Sequence, residues 1–277
     1  MIGLIILVVY AFLTSRYQLI KYLKKEIRSR SQEKISNIVM NVKASMVPDY
    51  SKKLKWALMA VAVAGSLLLF SKPRIFYEQA DDGYYVRFYV YGLTNMTTAT
   101  IPDTYQGEKV VGLRGNTFSN MPFLSEVTLP DSITEIRGQA FKNCRSLESV
   151  TLPEHLTYLG GEAFYHCSSL EEVNLPAGLT EIRGNTFEEC SSLLRIEIPD
   201  NVTRIGGHAF YGNTSLEEVV ISPDSKLQQI GSSAFRCCDS LREITLPRGV
   251  SVNERAFKET PVRTVSYTHL TLPTIYS

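Results

Sequence analysis

Apolar and polar positions recur with a fixed spacing through the second half of the chain. Phe118, Phe141, Phe164, Phe187 and Phe210 are each separated by 23 residues, and Phe235 and Phe257 follow after steps of 25 and 22. Such a period predicts a solenoid, in which each unit is too small to bury its own apolar face and must stack on its neighbours. Within each unit a pair such as Val127 and Leu129, Val150 and Leu152, Val173 and Leu175, or Ile196 and Ile198 alternates with polar residues. That is the period-2 signature of a half-buried strand, and it predicts the rungs of a parallel sheet. Pro130, Pro153, Pro176, Pro199, Pro223 and Pro247 come next and, lacking an N–H, end the ladder. A second apolar pair, such as Ile133 and Ile136 or Leu179 and Ile182, predicts another short strand or an extended turn. The column Gly115, Gly138, Gly161, Gly184 and Gly207 suits a bend that needs either positive φ or close backbone approach. The Phe that follows is the bulkiest core residue, and its burial contributes roughly 1.5–3 kcal/mol per rung.

The segment Leu147-x-x-Val150-x-Leu152 matches half of the leucine-rich repeat pattern, but the usual Asn or Cys after it is absent and a Cys sits instead three residues after the Phe. The combination AF-x-x-C-x-SL-x-x-V-x-LP resembles the BspA-type leucine-rich repeat family, found on bacterial surface proteins and in some parasitic protists. The resemblance covers about residues 101–264. It implies an α/β-type leucine-rich repeat solenoid, mostly β with a parallel sheet and short helices or turns. It also implies a role in adhesion or in contact with a host or a neighbouring cell.

The first part of the chain has a different character. Up to residue 75 there are 13 Lys and Arg against 3 Asp and Glu, a net of +10; the remaining 16 against 25 give −9. Residues 54–70, LKWALMAVAVAGSLLLF, flanked by Lys and carrying Trp56 at one end, predict a transmembrane helix at the lower limit of length. Residues 1–13 are a shorter apolar run, open to reading as a signal peptide, a second span or the tail of one; it has no basic leader and no small-residue cleavage site. Between them, residues 16–55 carry 11 basic and 3 acidic residues with apolar positions at helical spacing, which predicts a basic amphipathic helix beside the membrane. The positive-inside rule keeps that segment cytoplasmic and sends the repeats outside, with one span or two. Two β-rich runs around Asp81-Asp82-Gly83 predict a hairpin that caps the first rung. The expected organisation is therefore 1–53 apolar and amphipathic, 54–71 transmembrane, 72–100 cap and 101–264 solenoid. Residues 265–277 abandon the Phe and Gly columns. Val265 to Leu270 can be encoded by GTC TCT TAT ACA CAT CT, which looks like a transposon end used to tag DNA, so 265–277 is read as a non-native tail and Tyr267, His269 and Tyr276 receive no role.

Candidate chemistry is sparse. The mildly acidic repeats lack the basic stripe that a nucleic acid would need. Cys144, Cys167, Cys190 and Cys238 share one column, with Met121 and Asn213 in that place elsewhere. They read as small buried side chains, since a metal site needs clustered ligands and the one close pair is Cys237 with Cys238. His155, His166, His208 and His269 fall in different columns or in the tail, and no GxGxxG, P-loop, HExxH or GxSxG string occurs. No enzyme, cofactor or metal is expected. Three sequons, beginning at Asn95, Asn201 and Asn213, are weak signals. The exposed strand positions are the candidate binding face. One column reads Glu126, Ser149, Glu172, Arg195, Glu218 and Glu243, and its neighbour reads Thr128, Thr151, Asn174, Glu197, Val220 and Thr245. This polar, acidic surface suits a protein or a glycan, although it lacks the aromatic and Arg anchors typical of hot spots. The expectation is a membrane-anchored surface protein that binds such a ligand without catalysis; the alternative is a transmembrane sensor that relays binding through residues 16–55.

Overall fold

The computed structural model describes residues 73–91, 97–262 and 264–267. The expected amphipathic helix, the 54–71 span and the end of the tail lie outside them. Among the described residues no helix is long and apolar enough to cross a membrane. The repeats contain turns in place of the short helices that the family pattern allowed.

The predicted hairpin forms. Strand β1 (Arg74–Ala80) pairs antiparallel with β2 (Gly83–Val90) from Ala80↔Gly83 back to Arg74↔Val90. Gly83 has φ 142, and a Cβ there would meet the Lys109 carbonyl oxygen at 2.5 Å, so only glycine fits. Strands β3 (Thr98–Thr100), β4 (Thr104–Tyr105) and β5 (Glu108–Leu113) follow. Because β2 pairs in parallel with β5, the hairpin covers the open edge of the first coil. Tyr89 is buried in the core, whereas Tyr85 is buried on the outer side of the row, its ring over Gly112.

From β5 onward each coil contributes two short strands to two parallel rows. One row starts at β3 and runs through β6 (Glu126–Thr128), β8 (Ser149–Val150), β10 (Glu172–Val173), β12 (Arg195–Ile198), β14 (Glu218–Ile221), β16 (Glu243–Leu246) and β18 (Thr264–Tyr267). The other runs from β5 through β7 (Glu135–Ile136), β9 (Tyr158–Leu159), β11 (Glu181–Ile182), β13 (Arg204–Ile205), β15 (Gln229–Ile230) and β17 (Ser251–Val252). The ladder passes the expected boundary at residue 264: β18 pairs with β16 and Val265 is buried opposite Ile244.

The third side of each coil is a turn that works as a ladder of its own. The residue after the recurring Gly is left-handed (Asn116, Gln139, Glu162, Asn185, His208), and so is the one four places on (Asn120, Asn143, His166, Glu189, Gly212). Between them the Phe amide reaches the next coil. Phe118, Phe141, Phe164, Phe187, Phe210 and Phe235 donate to Ala140, Ala163, Thr186, Ala209, Ala234 and Ala256, each at 2.8 Å. A helix would spend these N–H groups within the coil; here they join coils.

The core is one continuous column. Successive Phe rings stack with centroids 5.1 to 5.5 Å apart and planes 3° to 7° from parallel, from Phe118 to Phe257. The separation follows the coil rise, slightly above the 4.7–4.9 Å between paired strands. Tyr89 of the hairpin closes the column, its ring centroid 5.0 Å from Phe118. The Gly column serves close approach, not positive φ: a Cβ on Gly138 would lie 2.9 Å from the Gly161 carbonyl oxygen.

Candidate functional site

Every residue named for the binding face is where the alternation places it. Glu126, Ser149, Glu172, Arg195, Glu218 and Glu243 are exposed, as are Thr128, Thr151, Asn174, Glu197 and Thr245; Val220 is half-buried. The inward neighbours Val127, Val150, Val173, Ile196, Val219 and Ile244 are buried. The face is not one unbroken ribbon, however. Hydrogen-bonded pairing divides this row into β3-β6-β8-β10, β12-β14 and β16-β18. Arg195 crosses within the middle block, bonding Glu218 at 2.8 Å and approaching Glu197 at 3.8 Å.

The blocks also differ in depth. β12 and β14 stay paired through Ile198↔Ile221, whereas β6 and β8 separate after Val127↔Val150 and β8 and β10 after Val150↔Val173. Leu129 and Leu175, expected as core partners of the valines, are only half-buried where the strands part; Leu152 between them stays buried. Between β8 and β10 the Asn174 carboxamide spans the opening: Leu152 donates its N–H to Oδ1 at 2.9 Å, and Nδ2 donates to the Leu152 carbonyl at 3.2 Å. Between β6 and β8 the opening is a groove of about 560 Å³, lined by Glu126, Thr128, Leu129, Asp131, Ser149, Thr151, Leu152, Pro153, Glu154, His155 and Asn174 among others. Five of the candidate residues thus converge on one concavity: Glu126, Thr128, Ser149, Thr151 and Asn174. Glu172, Arg195, Glu197, Glu218, Glu243 and Thr245 lie outside it.

The aromatic and Arg anchors missing from that face sit on the other strand row. The Arg114 guanidinium lies 4.2 Å from the Tyr85 ring centroid, and those of Arg137 and Arg183, from the coils on either side, lie 5.1 and 4.6 Å from that of Tyr158. Carboxylates complete the row: Glu78 pairs with Arg114 at 3.0 Å, Glu135 with Arg137 at 2.6 Å, and Glu181 with Arg204 at 3.0 Å. Gly112 makes room for the Tyr85 ring, since a Cβ there would meet it at 2.3 Å. The signal was present in the sequence as Arg114, Arg137 and Arg183 at repeat spacing. It becomes legible only when stacking sets each Arg beside an aromatic one coil away.

The Cys column is buried, as its small apolar character implies, and each thiol also has a bond. Cys144, Cys167, Cys190 and Cys238 donate to the carbonyls of Phe118, Phe141, Phe164 and Phe210 at 3.1 to 3.2 Å. Burial pushes the Cys144 and Cys238 thiols up to about 12 and Cys167 well above its ordinary value, so these sulfurs stay protonated and unreactive. Asn213 replaces Cys in this column and is wholly buried, which keeps its sequon inaccessible; Asn201 is exposed, and Asn95 lies outside the described residues. The histidines are dispersed. His155 is on the groove, His166 pairs with Glu189 on the turn side at 2.9 Å, and His208 lies against Tyr211. Among the described residues no group of three or more His, Cys, Asp or Glu is placed to hold a metal ion.

Parallel coils of about two dozen residues with two strand rows and a Phe spine define a leucine-rich repeat solenoid. The family model for the BspA type leucine-rich repeat region matches residues 111–226 and 162–277 in six copies, and the chain belongs to this family. Among solved structures, it is similar to a leucine-rich repeat protein from Bacteroides ovatus, with a TM-score of 0.60, 24% identity and coverage of 69% of this chain and 57% of that one. A leucine-rich repeat protein from Eubacterium ventriosum is similar at a TM-score of 0.57 and 21% identity, over 73% of this chain and 52% of that one. The chain thus spans little more than half the length of either structure. No curated protein matches the sequence.

Proposed function

We propose that this chain is a bacterial surface protein that binds a protein or glycan through the β6-β8-β10 face and is held to the membrane by residues 54–70. The groove between β6 and β8 carries the reading. It is a concave, solvent-open site built from a strand face, with hydroxyls and carboxylates around it. Solenoids present such faces as extended binding surfaces. The division of charge, +10 up to residue 75 and −9 beyond, supports placing the repeats on the outer side. Proteolysis of intact cells tests the placement: the repeats are expected to be cut before lysis, and repeats protected until the cells are broken would refute it.

A further inference from the structure

The groove between β6 and β8 has a filled counterpart one coil on. Where β8 and β10 part, the Asn174 carboxamide bonds both the N–H and the carbonyl of Leu152. Leu129 holds the same position one coil earlier, after a pairing that likewise ends two residues before it at Val127. The residue standing where Asn174 stands is there Thr151, whose hydroxyl lacks the spaced donor and acceptor of an amide. Among the described residues no backbone bond joins Leu129 to Thr151, and both line the groove.

We propose that this groove takes an extended, basic peptide segment, one of whose backbone amides makes at Leu129 the two hydrogen bonds that Asn174 makes at Leu152. The inference rests on the reading of this face as the binding face and names the class of partner. A peptide amide is the same planar donor and acceptor unit as a carboxamide, and strand addition draws its affinity from such main-chain bonds. Charge selects the peptide. Glu126, Asp131 and Glu154 stand exposed around the groove, and neither Lys nor Arg lines it. Lys or Arg on the incoming segment therefore meets complementary potential. Pro130 and Pro153, one residue past each leucine, have no N–H with which to prolong the ladder, so the main-chain contact is confined to a few residues.

The test uses the full chain in detergent and three fluorescent probes: an octapeptide alternating lysine with threonine, its glutamate counterpart, and a chain of N-acetylglucosamine units, whose acetamido groups offer the same amide on a glycan. The lysine peptide is expected to bind at least about tenfold more tightly than the other two. Thr151→Asn supplies the missing carboxamide. It is expected to close the groove, weakening the lysine peptide by about tenfold or more without lowering the melting temperature, which separates lost binding from lost folding. The double variant Glu126→Gln, Glu154→Gln is expected to weaken binding and flatten its salt dependence. Failure of the lysine peptide to bind, equal binding of the glutamate peptide or the sugar, or wild-type affinity in Thr151→Asn would each overturn the proposal. The cell-surface proteolysis result is independent of all three outcomes, so failure of the groove assignment and failure of the surface placement are read from different experiments.

Discussion

At the scale of single residues, spacing alone located the buried set: Phe141, Phe164, Phe187 and Phe210 are fully buried, as are Cys144, Cys167 and Cys190. Their identity follows from period and polarity, which a sequence displays directly. What a residue does to the adjacent coil was not legible, because it depends on an atom about two dozen positions away. Gly138 shows this. Glycine suited two explanations, and only the 2.9 Å from a Cβ there to the Gly161 carbonyl oxygen selects close approach. Gly138→Ala is expected to destabilise the fold by about 1–3 kcal/mol, the usual cost of overpacking, read as a lower urea midpoint at unchanged slope. Asn174 was assigned to the exposed face, but the bonds of its carboxamide to Leu152 could not be anticipated, since they require that the strands part there. Removing it leaves the buried N–H and carbonyl of Leu152 without partners. Asn174→Ala is therefore expected to cost about 1–3 kcal/mol, a loss that the same change at exposed Thr245 would not produce.

At the scale of elements, the strand rows and the capping hairpin were readable from alternation and from the Asp-Asp-Gly signal. The turn was not, because its regularity lies in backbone handedness: left-handed residues recur at Gln139 and Asn143, Glu162 and His166, polar but of no single type. Asn and His favour the left-handed region, but Glu and Gln fill the same places, so side chains alone do not mark the pattern, yet it sends the Phe amides to the next coil and excludes a helix. Ion pairs between coils add to this side. Lys142 bonds Glu162 at 2.5 Å and Gln139 donates to the same carboxylate at 3.1 Å. The Lys142 bond, opposed by partial burial, holds the Glu162 carboxyl below its ordinary value. A carboxyl with a depressed folded-state pKa contributes stability above its unfolded value, about 4.3, and the contribution is lost as pH falls through the folded value. Wild type is thus expected to exceed Lys142→Met in melting temperature at neutral pH, and the gap is expected to shrink in acid. A gap that stays constant from pH 7 to pH 3 would remove this pair from the account.

At the scale of the whole molecule, a single apolar column stands behind two different surfaces. One strand row presents an acidic face with a groove, and the other an Arg and Tyr row whose charges are paired among themselves, from Glu78 with Arg114 to Glu181 with Arg204. Both surfaces exist only if the coils keep register, and register is held by the Phe stack and by the six Phe amides that cross from coil to coil. Repeat arrays held by nearest-neighbour contacts open from their ends, so protection is expected to be greatest at the centre. The most direct test is native-state hydrogen exchange at the Phe amides. Those of Phe141, Phe164, Phe187 and Phe210 should be strongly protected, highest at Phe164 and Phe187, and should lose protection together as denaturant is added. Exchange of these four amides at the rate of an unfolded chain would contradict the stacked register on which both surfaces depend.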